Sequence, residues 1–525
     1  MNGLSLDLPV LLPALVPLSG ALLVLVADLV TPTLRRLPWA IAAAAALGTA
    51  LATVPGLASG DTHSTLCLAT PPDSGLPTVQ GLPASCFWEA DALTGALQLV
   101  AGAAALVCVA LAWPRPSRRG VHGPTSEPVQ VVLLLAALAA TVVVAASRDV
   151  GTWLVALELA TLPVVVLVAL SGRRSAVAGA TQLLVMSLVS FALLTLGVAL
   201  WYAATGSPFL TPDAALSTSG AFQAASGAPT SVVFPSVSAG VVSLATVLVL
   251  AGVGFKLSLV PFHAWTPTAY SGAPLPIAAF LATVSKIAAL AALLVVLRAV
   301  SVLGTPALLS IALLAALSMT VGNVLALRQD DVVRLLAWST VAQAGWVVLP
   351  LVSISALGVG ASATYLLTYV VATLVAFAVV AVTVRERPAD GRSLAGYEGL
   401  WRRSPWRAGA LALALTSLAG LPPGIIGLVG KVVALRPVVA EGWVWLAGIA
   451  AANAVLGVAV YLRWLRPIVS SPDASSPGAS SAAAPGGAAV PRRRGSRVAV
   501  VGLVLSAAVL VVVSVQPDVL LRLLG

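Results

Sequence analysis

The chain contains three lysines, Lys256, Lys286 and Lys431, and all three fall inside apolar stretches. Every other one of its 28 basic residues of the Lys and Arg type is arginine. Arginine keeps its proton in any protein environment, whereas a buried lysine can give its proton up. Positions that must alternate between charged and neutral need lysine, so the pattern points to ion or proton transfer through an apolar matrix. Glu158, in VALELATLP, is the one deep carboxylate; the other five glutamates lie in loops or at the ends of apolar stretches. A lone buried carboxylate is costly, and a lysine partner lowers that cost. A Glu158–Lys256 pair is therefore expected: pairing holds the lysine protonated, and separation lets it release its proton. His263, a few residues after Lys256, reads equally as a proton relay or as a histidine satisfied by backbone in a turn.

Spacing ranks the lysines. Lys286 lies ten residues after Pro276 and twelve before Arg298, about 15 Å from either end at the rise of a helix. Its stem is too short to reach water, so it must face a protein interior or a hydrated cavity. Lys256 and Lys431 lie nearer the ends of their stretches, where residue count leaves both snorkelling and an interior role open. Their surroundings add information. Lys256 sits in AGVGFKLSLVPFH, with Gly252, Gly254 and Pro261; Lys431 sits in AGLPPGIIGLVGKVVAL, with Pro422, Pro423, Gly427 and Gly430. Both stretches exceed what a straight span requires, and glycine and proline interruptions predict discontinuous helices around an ion path.

These residues need a frame of membrane helices. The chain of 525 residues is 59% hydrophobic and 9% charged, against about 25% charged in soluble domains. Fourteen apolar runs of spanning length fall near 8–30, 38–58, 91–113, 129–147, 151–170, 177–203, 237–262, 276–297, 305–327, 332–350, 354–384, 408–436, 443–465 and 498–516. Lysines on the seventh and twelfth runs, five apart, suggest two five-helix repeats, helices 4–8 and 9–13. The expected fold is an all-α polytopic membrane domain: helices 1–3 in 1–127, a first repeat in 128–300, a second in 301–466, a flexible linker in 467–497 and a last helix in 498–525. The runs are too long for strands and lack sustained alternation, so strands are not expected. The first run lacks a basic lead and a cleavage site and reads as a retained helix. The arginines cluster in alternate connections, which puts those connections in the cytoplasm and both termini outside.

Several classes are excluded. The net charge of +10 is loop charge between apolar runs rather than a nucleic-acid surface. Three cysteines are too few for an iron–sulfur or structural zinc site within the chain. Cys67 and Cys86 share one outer loop, where a disulfide and two free thiols both remain open. There is no P-loop, no strand–GxGxxG–helix unit and no nucleophile elbow. Residues 204–235 and 470–490 are rich in small and polar residues and read as unstructured.

The run GFKLSLVPFHAWTPTAYSGAPLPIAAFLATVSKIA at 254–288 strongly resembles the N subunit of bacterial NADH–quinone oxidoreductase, respiratory complex I. LELATLP around Glu158, MTVGNVLALRQDDVVRLLAWSTVAQAGW at 319–346 and LAGLPPGIIGLVGKVVAL at 418–435 extend the resemblance over most of the chain. The VPFHxWTPxxYxGAP form is similar to subunit N rather than to the L and M subunits. Lysine on the twelfth run suits N or L, and no long lateral helix of the L type follows the last run.

The resemblance implies a fourteen-helix antiporter-like fold with inverted repeats and one proton channel. Glu158 and Lys256 would be the coupled pair, Lys286 central and Lys431 on the exit side. It implies partners among the M-, K-, J- and A-type membrane subunits, a bacterial plasma membrane, and NADH, FMN, iron–sulfur clusters and quinone held by other subunits, with no cofactor in this chain. The chain departs from the pattern at Gln182, where the family carries a sixth-helix lysine, at Thr268 and Ser271, which replace acids, and at Gln343, which replaces a histidine. Two other readings fit the composition: a subunit of a multisubunit cation/proton antiporter, or a membrane subunit that holds neighbours together and pumps nothing.

Overall fold

The computed structural model describes residues 6–67, 86–114, 127–211, 239–300, 306–470 and 497–522. The helices pair with the fourteen apolar runs in order. They are α1 (Leu8–Val30), α2 (Leu37–Ser59), α3 (Ala92–Ala112), α4 (Glu127–Ala146), α5 (Val150–Ala169), α6 (Arg174–Thr205) and α7a (Ala239–Leu257) with α7b (Trp265–Gly272). Then follow α8 (Leu275–Val300), α9 (Pro306–Ala326), α10 (Val332–Val352), α11 (Ala356–Glu386), α12a (Pro405–Ala419) with α12b (Ile425–Ala440), α13 (Val444–Val469) and α14 (Arg497–Val515). Among the described residues, thirteen helices are long and apolar enough to cross a membrane. The twelfth run is not among them, because its halves of 15 and 16 residues are each too short alone.

Helices are the natural solution here, since a segment in hydrocarbon must satisfy its backbone groups within itself. The segments are not equally placed. In α8, 94% of the central window is buried inside the protein, against 28% in α6. Thus α8, α10 and α11 form the enclosed middle, and the apolar side chains of α1, α6 and α14 face outward. Small residues let the helices meet closely. A Cβ at Gly252 of α7a would stand 2.5 Å from Leu194 of α6, so glycine alone permits that approach.

Two expectations about the periphery are corrected. Strands are not expected in the apolar runs, but between two of those runs His63–Cys67 (β1) and Cys86–Ala90 (β2) pair as an antiparallel ribbon. The reason is local: the ribbon lies in a loop rather than a spanning run, and a Cys67–Cys86 disulfide ties its ends. The all-α description therefore applies to the membrane helices only. The linker assigned to 467–497 also begins too early, because α13 continues to Val469. Most of that linker, and most of 204–235, lies outside the described residues.

Candidate functional site

Glu158 sits at the end of the first half of α5. That helix runs Val150–Leu159, stops at Ala160–Thr161 and resumes as Leu162–Ala169. Pro163 falls in the first turn of the second half, where its missing N–H costs nothing, and it restricts the residues just before it. The break frees Thr161. Lys256 Nζ stands 2.9 Å from Glu158 Oε1 and donates to Thr161 Oγ1 at 2.9 Å. The two charged side chains are only 4% and 12% exposed, so this is an interior ion pair. Ser187 of α6 donates to the other carboxylate oxygen at 3.4 Å. A cavity of about 20 Å³, the size of a single water site, touches Lys256, Thr161, Trp265 and Ser285.

The second cation is joined to the first through backbone. Helix α7a ends at Leu257, and Ser258 takes a left-handed conformation, φ 69°. A non-glycine residue there carries strain of about 1–3 kcal/mol, so the surrounding contacts must hold the backbone. The end of α7a leaves carbonyls without helical partners. Lys286 Nζ fills that need, donating to the Lys256 carbonyl at 2.9 Å and to Ser258 Oγ at 2.5 Å. Thr266 of α7b donates to the same serine oxygen at 2.7 Å, and the Trp265 indole donates to the Phe255 carbonyl at 3.1 Å. The Trp265 ring lies 4.8 Å from the Lys286 ammonium. Lys286 reaches this point because α8 is itself interrupted at Thr283, between Leu275–Ala282 and Val284–Val300. A cation at the carbonyl end of a helix also meets the negative end of its dipole.

Lys431 repeats this arrangement. Its Nζ donates to the carbonyl of Ala419, the last residue of α12a, at 2.5 Å, with the Trp346 ring 5.4 Å away. Gly420 makes the turn with φ 79°. The sequence pairs Lys256 with Lys431 as counterparts on two broken segments. In its contacts Lys431 resembles Lys286, since each caps the carbonyl end of a half-helix beside a tryptophan. Lys256 belongs to the capped helix. All three lysines are buried, at 6%, 2% and 6% exposure in chain order, so none snorkels. His263 is half-buried and packs on Trp338 at 5.3 Å; none of the hydrogen bonds of Lys256 or Lys286 goes to it. Ser258 and Thr161 were overlooked at the level of sequence, although each adjoins a visible break signal. Trp346 left no such signal.

A family model described as NADH:quinone oxidoreductase/Mrp antiporter, transmembrane, matches residues 147–457. NADH-quinone oxidoreductase subunit N of Salinispora tropica is 39% identical over 479 residues, covering 87% of this chain and 84% of the relative. Subunit N 2 of Streptomyces griseus is 36% identical, covering 99% and 93%. The chain belongs to the subunit N family of NADH-quinone oxidoreductase. Among solved structures, respiratory complex I of Thermus thermophilus contains a chain with TM-score 0.71 and 28% identity, covering 97% of this chain and 98% of that one. An Mrp complex from Dietzia, at TM-score 0.75 and 21% identity, shares the fold.

Within this subunit N fold, Gln182 and Ser271 both bond at α7b. Gln182 accepts from Thr268 Oγ1 at 2.5 Å and donates to the Ala264 carbonyl at 3.1 Å, tying α6 to the start of α7b. The Ser271 hydroxyl donates to the Pro267 carbonyl at 2.7 Å within α7b, while its backbone carbonyl accepts from Arg392, itself paired with Asp331 at 3.0 Å.

Proposed function

We propose that this chain moves protons across the membrane arm of an NADH-quinone oxidoreductase through Glu158, Lys256, Lys286 and Lys431. One observation carries the reading. Lys256 pairs with Glu158 through its side chain and receives Lys286 through its carbonyl, so any change at the carboxylate is felt at two ammonium groups. With Glu158 close, Lys256 holds its proton. When the pair separates, the uncompensated ammonium in a buried site releases it. The proton then passes by Lys286 to Lys431 and leaves on the exit side. His263, at the mouth of the break, is a side station of this path. Tryptophan faces under Lys286 and Lys431 stabilise each cation without offering a base.

In this reading the two halves, 128–300 and 301–466, are inverted repeats built on helices 4–8 and 9–13. Both termini lie outside a bacterial plasma membrane. The flavin, iron–sulfur clusters and quinone belong to other subunits, and the M-, K-, J- and A-type chains and lipid are the neighbours. The test uses the whole complex in sealed vesicles. Lys286→Ala should leave NADH oxidation running while lowering protons moved per electron. An undiminished ratio would remove the pumping role.

A further inference from the structure

Two of the positions where the chain departs from the family pattern meet in space. Gln182 stands in place of a lysine, and Thr268 in place of an acid. The Gln182 amide nitrogen donates to the Ala264 carbonyl at 3.1 Å, and Thr268 Oγ1 donates to Gln182 Oε1 at 2.5 Å. The Ala264 carbonyl can only accept, so a single orientation of the amide satisfies both contacts. A cation and an acid at these positions would pair by charge. Here a neutral amide and a hydroxyl make the contact.

The two bonds bracket the residues that reach Lys286. Ala264 and Thr268 lie on the exposed side of α7b, while Trp265 and Thr266, between them in the chain, are buried. Thr266 donates to Ser258 Oγ at 2.7 Å, and the Trp265 ring lies 4.8 Å from the Lys286 ammonium. Turning α7b about its axis would withdraw both from Lys286. Close packing does not prevent that turn. A Cβ at Gly179 of α6 would stand 2.7 Å from the Thr268 carbonyl, and one at Gly272 would strike the Ser175 carbonyl. Glycines permit this approach of backbones but offer no side chain that fixes a rotation. Arg392 holds only the far end of α7b, through the Ser271 carbonyl. At the near end the tie to α6 is Gln182.

Packing alone gives no reason for an amide here. Val177, Leu184, Val185 and Leu188, its neighbours along α6, are exposed and apolar. An amide among them carries a desolvation cost that hydrogen bonds must offset. We propose that Gln182 and Thr268 form a latch that fixes the rotation of α7b, and so are positioning residues for the Lys286 site. The Gln182 amide takes no proton, so it acts only through Trp265 and Thr266.

This inference rests on the proton-translocating reading above, and two readouts keep them apart. Whole complexes carrying Gln182→Met, Thr268→Val, Thr268→Asp, or Thr268→Asp with Gln182→Lys are compared with wild type and Lys286→Ala. Protons per NADH and the NADH oxidation rate are measured in sealed vesicles. Amide hydrogen exchange over residues 258–272 is followed in the same complexes by mass spectrometry. Gln182→Met and Thr268→Val keep the volume and remove the bonds. Both should lower protons per NADH toward the Lys286→Ala value with NADH oxidation retained. Exchange in Gln182→Met should quicken by roughly tenfold, the scale of two lost hydrogen bonds. Thr268→Asp sets two acceptors against one amide and should fail likewise. Adding Gln182→Lys supplies a cation for the new carboxylate and should restore both readouts, which a purely local packing role would not do.

If Gln182→Met leaves exchange at the wild-type rate, there is no latch. If exchange quickens but the ratio holds while Lys286→Ala lowers it, the latch does not serve Lys286 and the proposal is wrong. If the double variant is no better than Thr268→Asp alone, the two residues are not partners. If Lys286→Ala pumps at the wild-type ratio while exchange responds as expected, the latch stands and the proton-translocating reading fails.

Discussion

Replacing Glu158 with glutamine removes the counter-ion of Lys256 and almost none of its volume. At an effective dielectric of about 20, unit charges 2.9 Å apart attract by about 6 kcal/mol. Measured costs of leaving one member of a buried pair alone run to about 3–5 kcal/mol. The site can absorb that cost in two ways: the complex loses stability, or Lys256 sheds its proton and joins the neutral amide. Either way the alternation between paired and separated states ends. Glu158→Gln should therefore give the same reduced proton-to-electron ratio as Lys286→Ala. Adding Lys256→Met should restore thermal stability, because both charges are then gone, without restoring pumping. The assay is acidification by complex-containing vesicles, normalised to NADH oxidised, with a melting curve for each variant. A Glu158→Gln complex that moves the wild-type number of protons would refute the coupling, and so would a double variant less stable than the single one.

Three further outcomes are expected. Lys286→Arg keeps the charge at the Lys256 carbonyl but cannot release a proton, so its pumping should match Lys286→Ala in the vesicle assay. Gly420→Ala forces a left-handed backbone and sets a Cβ 3.0 Å from Lys431 Cδ and 3.2 Å from its Nζ; it should cost about 1–2 kcal/mol, read as a lower unfolding temperature. Burial opposes ionisation of Asp91, but Arg298 at 2.8 Å and the Thr94 donors outweigh it and hold the carboxyl below 3.8. Its contribution is thus present above 3.8 and lost as pH falls through the lower folded value. Asp91→Asn should lower the dissociation temperature of the complex at neutral pH, with the difference vanishing in strong acid.

Much of the fold was legible because the signals are local. Twenty apolar residues make a spanning helix whatever surrounds them. Glycine and proline around Lys256 and Lys431 announced the two broken helices, and both are broken within the predicted stretches. The interruption of α8 at Thr283 was not legible, since LATVSKIA contains no glycine or proline. The β1–β2 ribbon was missed because a pair of five-residue strands carries little pattern of its own.

The sequence by itself determined that this is a membrane protein, that Lys286 lies deep, and that Glu158 and Lys256 are suited to pair. Those conclusions rest on composition, spacing and the cost of isolated charge, and each can be evaluated one segment at a time. Only the tertiary structure decided that Lys286 rests on the carbonyl of Lys256, that Lys431 caps a helix end in the same way, and that Tyr365 of α11 meets Gln343 of α10. Those contacts join residues on different helices, 30 positions apart for Lys286 and Lys256 and 22 for Tyr365 and Gln343. Hydropathy is the same whichever way a buried helix is turned. What fixes the turn is close packing around glycines and the need of each broken helix end for a donor, and both arise only when the helices are assembled.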